Sequence, residues 1–218
     1  MQRRHHYEHA FEAFLRARRI PYVAVDEARK ALLPESARLR LAPDGDGNEH
    51  TLKSFDFVLY GDPNLLVEIK GRKIARPRGA RAARAEEPGQ LRLTRAGEPP
   101  RERKTRLESW ATLEDVQSLS TWEALFGEGF EAVFVFLYWC AEMPPAALFE
   151  EVFEHRDRWY AVRAVRIRDY RAHMKTRSPR WGTVHLPASR FDELSSPLAP
   201  PIAGLGLPGD QLPVFATI

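Results

Sequence analysis

Hydrophobic and polar positions change their period several times along this chain, and each change marks a predicted element. Between residues 5 and 19, apolar side chains recur every three or four positions, at Tyr7, Phe11, Phe14 and Leu15. This spacing predicts an amphipathic helix, which Pro21 would end. The apolar run Tyr22–Val25 that follows predicts a short strand.

Two longer strands and a second helix follow a polar loop. The segments "SFDFVLY" (54–60) and "NLLVEIKGR" (64–72) are joined by "GDP", which predicts a hairpin. Apolar residues from Leu107 to Phe126 have helical spacing, and Gly127 would end that helix. The run "EAVFVFLYWC" (131–140) is almost continuously apolar, as in a strand buried on both faces, and it is too short to span a bilayer.

The predicted order is therefore helix, three strands, helix, strand, in an α/β fold whose mixed central sheet is flanked by helices. Beyond it, "FEEVFEHRDRWYAVRAV" predicts a hairpin about "HRDR", and "RIRDYRAHMK" and "ASRFDEL" predict helical pieces around a short strand, "RWGTVHL". A chain of 218 residues with 44% hydrophobic residues can bury one good core. We expect one domain over residues 1–194 and an extended Pro-rich tail over 195–218.

Positive charge is concentrated in one segment. Residues 72–106 contain twelve Lys or Arg and four acidic residues, with few large apolar side chains. We expect residues 72–107 to form a flexible basic insertion that could contact a polyanion such as nucleic acid. A solubilising insertion, or one that reflects genome composition, is the alternative. The single cysteine, Cys140, excludes a disulfide framework, which favours a reducing compartment, the cytoplasm.

The predicted hairpin carries two acids and a lysine where a strand core is usually apolar. Glu68 and Lys70 share one face of their strand, and Asp56 would point to the face opposite Phe55 and Phe57. If Asp56 and Glu68 face each other, a cation between them would relieve their repulsion. Mg²⁺ or Mn²⁺ suits oxygen ligands of this kind.

The lysine suggests the reaction. An ammonium group beside a divalent cation can orient an attacking water and offset the negative charge that develops as a phosphodiester is hydrolysed. A plain cross-strand ion pair of Asp56 with Lys70, with Glu68 beside it, is the alternative interpretation of the same three residues.

An aspartate, a gap of eleven residues and Glu-x-Lys in this element order resemble the PD-(D/E)xK nuclease superfamily, which includes restriction enzymes and Holliday-junction resolvases. The resemblance covers residues 5 to 140 and implies a restriction-endonuclease-like αβββαβ core, with the C-terminal hairpin and helices as additions. It implies that Asp56 and Glu68 bind the metal, that Lys70 is catalytic, and that the Ile69 carbonyl is a further ligand. Phe55 replaces the proline of the superfamily pattern.

Two helix residues extend the resemblance. The superfamily's first helix often carries an acid that reaches the metal, and Glu8 occupies that place, with Glu12 as the competing candidate. Gln117 in the second helix resembles a glutamine that orients water or substrate in several subfamilies. The N-terminal "HYEHAFE" also matches the signature that names the HYExAFE family.

Nucleic acid is the partner that these features predict, DNA more than RNA, with no membrane partner, and two chains could pair as a homodimer. Cations and aromatic residues are mixed near the C-terminus, which suits phosphate contacts beside a stacking platform. The alternative is that Trp181 is a core residue and the cationic side chains around it are simply exposed to solvent. The predicted nucleic-acid contacts are Arg72, Lys73, Lys175, Arg177, Arg180 and Trp181. The sequence thus predicts a metal-dependent nuclease, with a non-catalytic nucleic-acid-binding protein of the same fold as the alternative.

Overall fold

A mixed six-stranded sheet packed between helices organises the described part of the chain. The computed structural model describes residues 5–26, 52–74, 107–140 and 151–198. The helices are α1 (His5–Ala17), α2 (Leu113–Phe126), α3 (Ile167–His173) and α4 (Ala188–Leu194), with a short 3-10 turn at Pro179–Trp181. The strands are β1 (Tyr22–Ala24), β2 (Phe57–Leu59), β3 (Asn64–Lys73), β4 (Ala111–Thr112), β5 (Phe130–Cys140), β6 (Val152–Glu154), β7 (Trp159–Arg166), β8 (Lys175–Ser178) and β9 (Thr183–His185).

The main sheet has the order β1-β2-β3-β5-β7-β6. β1, β2 and β3 form an antiparallel meander, and α2 then returns the chain so that β5 pairs parallel to β3. β7 and β6 continue the sheet in antiparallel pairs. A crossover is required before β5, because parallel neighbours cannot be joined by a tight turn.

Each face of the sheet has its own core. On one face, α1 contributes Ala10, Phe11, Phe14 and Leu15, which pack against odd-numbered residues of β3 and β5. On the other face, α2, α3 and α4 cover even-numbered residues of the same strands, including Leu66, Phe134 and Phe136. Burial on both faces explains why β5 is apolar at nearly every position. The predicted α/β fold with a mixed sheet flanked by helices is confirmed.

Most predicted elements are present, and the main error concerns the second helix. α2 begins at Leu113 and not at Leu107, because the Thr112 side chain caps it and residues 111–112 form β4. β4 joins β9 and β8 in a separate three-stranded sheet that the sequence did not predict. The hairpin about "HRDR" is confirmed as β6 and β7.

Several predictions fall on segments outside the described residues. These include most of the basic insertion, from residue 75 to 106, and the tail beyond residue 198. The first part of that tail is described: Ser196 pairs with Ala164 of β7, and Leu198 is buried. In the described ranges, no helix combines the length and the apolar composition that crossing a bilayer requires.

Candidate active site

The end of the β2–β3 pairing brings two carboxylates close together. Phe57, the first residue of β2, is aligned with Val67. The Asp56 backbone N–H also donates to the Val67 carbonyl, at 2.9 Å, so Asp56 and Phe57 lie opposite the same residue and the regular register ends there, as at a β-bulge. The charge of Glu68 acts on Asp56, so the two carboxylates are neighbours at the edge of the hairpin.

The chain just before β2 does not follow regular strand alternation. Phe55 packs edge to face on Trp122 of α2 with ring centroids 5.4 Å apart. Phe57 packs on Phe11 of α1 at 5.5 Å, on the other side of the sheet. The expectation that Phe55 and Phe57 share one face is therefore wrong, because the regular strand begins only at Phe57. Asp56 consequently lies at the boundary between the two helical layers.

One oxygen of Asp56 is held by the backbone of β3. The Ile69 N–H donates to Asp56 Oδ2 at 2.6 Å. The N–H groups of Asn64, at the start of β3, and Ile74, just after its end, donate to the neighbouring strand segment on the β5 side. Because the direction of backbone hydrogen bonding alternates along a strand, the N–H and carbonyl of Ile69 point to the other side, toward β2. The Ile69 carbonyl points to the same side of β3 as its N–H, the side on which Asp56 lies.

Lys70 bridges two acids on the α2 side of the sheet. Its Nζ lies 2.9 Å from Glu68 Oε1 and 2.6 Å from Asp115 Oδ2. The side chains of Lys70 and Asp115 are each 12% exposed and that of Glu68 is 19% exposed. The ammonium also lies 5.5 Å from the centre of the Phe134 ring. Lys70 is thus fixed in position and largely shielded from solvent.

Asp115 is a site residue that the sequence analysis missed. It is the third residue of α2, where it forms a capping box with Thr112: the Asp115 N–H donates to Thr112 Oγ1, and the Thr112 N–H donates to Asp115 Oδ2, each at 3.1 Å. The same carboxylate accepts from Lys70 and, at 3.2 Å, from Lys53. A capping-box pattern, Thr-x-x-Asp, was available in the sequence as a signal.

Negative charge is in excess around Asp56. Burial, together with the nearby charge of Glu68, raises the pKa of Asp56 well above its usual range, although the Ile69 hydrogen bond opposes the shift. Burial also raises the pKa of Glu68, although the Lys70 ammonium opposes the rise. Glu8 adds to the rise at Asp56 through its charge. A cation bound at these acids would favour their ionised forms.

The pKa of Asp115 is shifted in the opposite direction, below its usual range. Burial opposes its ionisation, but the charge and hydrogen bond of Lys70 and the hydrogen bonds of Thr112 outweigh it and lower its pKa to about 2. Asp115 therefore stays ionised, and it holds Lys70 beside Glu68 by charge as well as by geometry.

Of the two candidate acids in α1, Glu8 is the one whose charge raises the pKa of Asp56. Glu12 accepts hydrogen bonds from Arg16 at 2.6 Å and from the Tyr22 hydroxyl at 2.7 Å, so it joins α1 to β1. Glu8 is half-buried, and its charge acts on Asp56. The helix turn explains the difference, because residues four apart lie about 40° apart on a helix and can meet different neighbours.

Gln117 is not brought to the acids. It is exposed and lines a groove of about 520 Å³ between α2 and α3 that also includes Arg171 and Met174. Two residues along a helix are about 200° apart, so Gln117 and Asp115 point to nearly opposite sides of α2. The helical spacing of "DVQ" already implies that both cannot face Lys70.

Two predicted phosphate contacts on β3 have different surroundings. Arg72 is half-buried: its guanidinium lies 3.9 Å from the centre of the Trp110 ring and donates to the carbonyls of Trp110 and Gly71. Burial lowers its pKa from the usual range. Lys73 is exposed, with its ammonium 4.5 Å from the centre of the Trp139 ring. Arg72 thus contributes to packing, whereas Lys73 is accessible.

The C-terminal cluster lies on β8 and the turn after it. Lys175, Arg177 and Arg180 are exposed, and Trp181 is 71% exposed, so Trp181 is not a core residue. The carbonyl of Gly182, the next residue, accepts from the Leu113 N–H at the start of α2 at 2.7 Å. The exposed Trp181 is therefore tied to the same helix end that carries Asp115.

Few residues of the site are candidate metal ligands. In the described part of the chain, no three or more His, Cys, Asp or Glu side chains are grouped so that they could hold a metal ion. Asp56 and Glu68, with the Ile69 carbonyl, are a smaller set of candidate ligands. Mg²⁺ commonly uses one or two carboxylates and completes its shell with water and substrate phosphate. Comparison with protein-family models, curated proteins and solved structures finds no match to this chain.

Proposed function

We propose that this protein is a divalent-metal-dependent nuclease that hydrolyses phosphodiester bonds of nucleic acid, DNA more than RNA. The observation that carries the proposal is the proximity of the Asp56 and Glu68 carboxylates at the edge of a hairpin, with Asp56 held by the Ile69 N–H and Lys70 fixed beside Glu68. Two buried acids whose pKa values are both raised, next to an ordered lysine, support the assignment of a catalytic site.

The arrangement of elements supports a restriction-endonuclease-like core. The meander β1-β2-β3, the helix α2 and the parallel strand β5 follow α1 in the order that the PD-(D/E)xK resemblance implies. The short strand β4 and the second sheet are additions to that order. Membership of the HYExAFE family, from the "HYEHAFE" signature, is part of the same proposal.

Each site residue has a role in the proposed reaction. Asp56 and Glu68 would hold Mg²⁺ or Mn²⁺, with the Ile69 carbonyl as a further oxygen and Glu8 as a nearby acid. The metal would supply charge stabilisation to the phosphate in the transition state. Lys70 would orient the attacking water and donate a hydrogen bond to it, and Asp115 would keep the ammonium in place. Hydrolysis adds water across one P–O bond and leaves one phosphate-bearing end.

A second candidate is a protein that binds nucleic acid without cleaving it. The double ion pair of Lys70 favours it, because a lysine satisfied by Glu68 and Asp115 also makes a stable structural network. The exposed Trp181 and Arg180 would serve that function equally well, since base stacking requires no chemistry.

Metal binding separates the two candidates. We would titrate Mn²⁺ into the full chain by electron paramagnetic resonance and compare the wild type with Asp56→Asn, Glu68→Gln and the control Asp192→Asn, an exposed acid of α4. The nuclease predicts one bound ion that is lost in the first two variants and kept in the control. Equal Mn²⁺ binding in all four proteins, or none in the wild type, would support the non-catalytic alternative.

A further inference from the structure

A second, strongly basic pocket lies between α1 and the β6–β7 hairpin. Its volume is about 140 Å³, and its lining residues are His6, His9, His155, Arg156, Arg158 and Tyr160. None of these side chains is acidic, and two are permanently cationic. The Nε2 atom of His155 is buried and has no hydrogen-bond partner within the described residues. An unsatisfied nitrogen on a residue that lines a cationic cavity can donate to an anion there when it carries the proton.

The backbone of the hairpin turn supports the same conclusion. His155 and Arg158 exchange backbone hydrogen bonds at 2.9 and 3.2 Å and close a two-residue turn. Both central residues, Arg156 and Asp157, have positive φ, 51° and 58°. Such turns strongly prefer Asn and Gly, because a longer side chain is strained there. An arginine in this position therefore suggests that its guanidinium serves a purpose.

The size of the pocket restricts the ligand. Pockets that enclose whole drug-sized ligands have volumes of roughly 300–1,000 Å³. A cavity of about 140 Å³ can hold a phosphate group but leaves a nucleoside outside. Arg side chains bind phosphate through several N–H donors, and His nitrogens add single donors. A phosphate carried by a larger molecule fits both the volume and the charge.

The pocket lies on a different side of α1 from the candidate active site. His6 lines the pocket, and it is two residues, or about 200° around the helix, from Glu8, whose charge acts on Asp56. We propose that this pocket binds a phosphate group of the nucleic-acid strand outside the candidate active site, either an internal phosphodiester or a terminal phosphomonoester. This inference rests on the proposed nuclease function for the identity of the strand, but not for the binding of phosphate.

The pocket can be tested without metal or catalysis. We would titrate inorganic phosphate into the full chain at low ionic strength, in EDTA, and follow the histidine ring signals by NMR. Arg156→Asn removes the charge and keeps a residue that tolerates positive φ, and Arg190→Asn, at an exposed arginine of α4, is the matched control. We expect saturable shifts at His155 in the wild type and the control, and about tenfold weaker binding in Arg156→Asn.

Oligonucleotide binding distinguishes the two sources of phosphate. Anisotropy would be measured in EDTA for strands with a 5′ phosphate, a 3′ phosphate or neither. A preference for one phosphorylated end that Arg156→Asn removes supports a terminal phosphate. Equal affinities that Arg156→Asn lowers uniformly, with a salt slope smaller by about one, support an internal phosphodiester. His155→Gln should weaken binding in the same way and serves as a second variant.

The proposal is overturned if phosphate does not perturb His155, or if Arg156→Asn and Arg190→Asn bind phosphate and oligonucleotides equally. Its failure is distinguishable from that of the nuclease proposal. Cleavage without an effect of Arg156→Asn would remove the pocket and keep the enzyme. Phosphate binding that depends on Arg156, in a protein that cleaves nothing, would keep the pocket and remove the enzyme.

Discussion

Lys70 Nζ lies 2.6 Å from Asp115 Oδ2, and this contact joins the central strand β3 to the first turn of α2. The same carboxylate forms the capping box of α2 with Thr112. The position of the lysine is therefore coupled to the start of the helix. A change in this cap is expected to alter both the stability of the protein and the placement of Lys70.

Asp115→Asn tests that coupling through pH. The pKa of Asp115 is lowered from 3.8 to about 2, so its ionised form stabilises the folded state above pH 4, and this contribution is lost as the pH falls from 4 to 2. We expect the variant to lose about 2 kcal/mol of unfolding free energy at pH 7 and to show a shallower acid dependence in that window. Urea unfolding at several pH values measures both.

Glu114→Gln is the matched control for this substitution. Glu114 lies next to Asp115 and pairs with Lys53 at 2.7 Å, and its side chain is 59% exposed. Exposed pairs contribute little, so we expect a change below about 0.5 kcal/mol. Equal effects of the two substitutions would mean that Lys70 is not held by Asp115.

Asp56→Asn is expected to stabilise the metal-free protein. A pKa raised above its usual range means that the folded state favours the protonated carboxyl. The stability from this group is therefore fully present below the ordinary pKa and is lost as the pH rises through the raised pKa. Asn can still accept the Ile69 N–H. We predict a gain of about 1 kcal/mol at pH 7, which disappears at acidic pH.

Mg²⁺ should reverse this order of stability. An ion at ten times its Kd stabilises the folded wild type by about 1.4 kcal/mol, whereas Asp56→Asn should gain nothing. Thermal unfolding with Mg²⁺ and with EDTA measures the difference. A variant that is less stable than the wild type at neutral pH in EDTA would show that the acids are not in electrostatic conflict.

The exposed and buried members of the predicted nucleic-acid surface should respond differently to substitution. Trp181→Ala should leave unfolding within about 0.5 kcal/mol of the wild type and weaken single-strand binding by about 1–3 kcal/mol. Arg72→Ala should destabilise the fold, because it removes packing against Trp110. Calorimetry and anisotropy on both variants check the contrast, and similar losses of stability in both would contradict it.

Gly71 allows α1 to approach β3 closely. A Cβ at this position would overlap with the Tyr7 ring. We expect Gly71→Ala to cost about 1–3 kcal/mol and to displace the helix that carries Glu8. The cost should largely vanish in a Tyr7→Ala background, which a double-mutant cycle by urea unfolding measures. An equal cost in both backgrounds would place the strain elsewhere.

Periodicity predicted those parts of the fold whose burial follows a regular pattern. β3 and β5 were evident because β5 is buried on both faces and the first half of β3 is a run of apolar residues. β4 was missed because it is only two residues long and pairs with β9, more than seventy residues away. Its existence depends on tertiary contacts that a local pattern does not contain.

The candidate site was predictable where charge occurs in a strand and not where it occurs on a helix. Glu68 and Lys70 stand out because a buried strand rarely carries charged residues. The Thr-x-x-Asp pattern marks Asp115 as a residue at the start of a helix, but it does not indicate the contact with Lys70. Arg72 was expected to contact phosphate, and its burial against Trp110 depends on a residue 38 positions away. Long-range partners of this kind are not encoded in spacing.

Cleavage that depends on Lys70 tests the proposed function most directly. We would measure initial rates on labelled single-stranded, duplex and branched DNA and on RNA, with Mg²⁺, Mn²⁺ or EDTA, for the wild type, Lys70→Met and the control Arg190→Met, at an exposed cation of α4. We predict metal-dependent cleavage that falls at least about a hundredfold in Lys70→Met, with substrate binding retained, and by less than about threefold in the control. Folded wild-type protein that binds these substrates and cleaves none of them, or cleavage unchanged in Lys70→Met, would contradict the account.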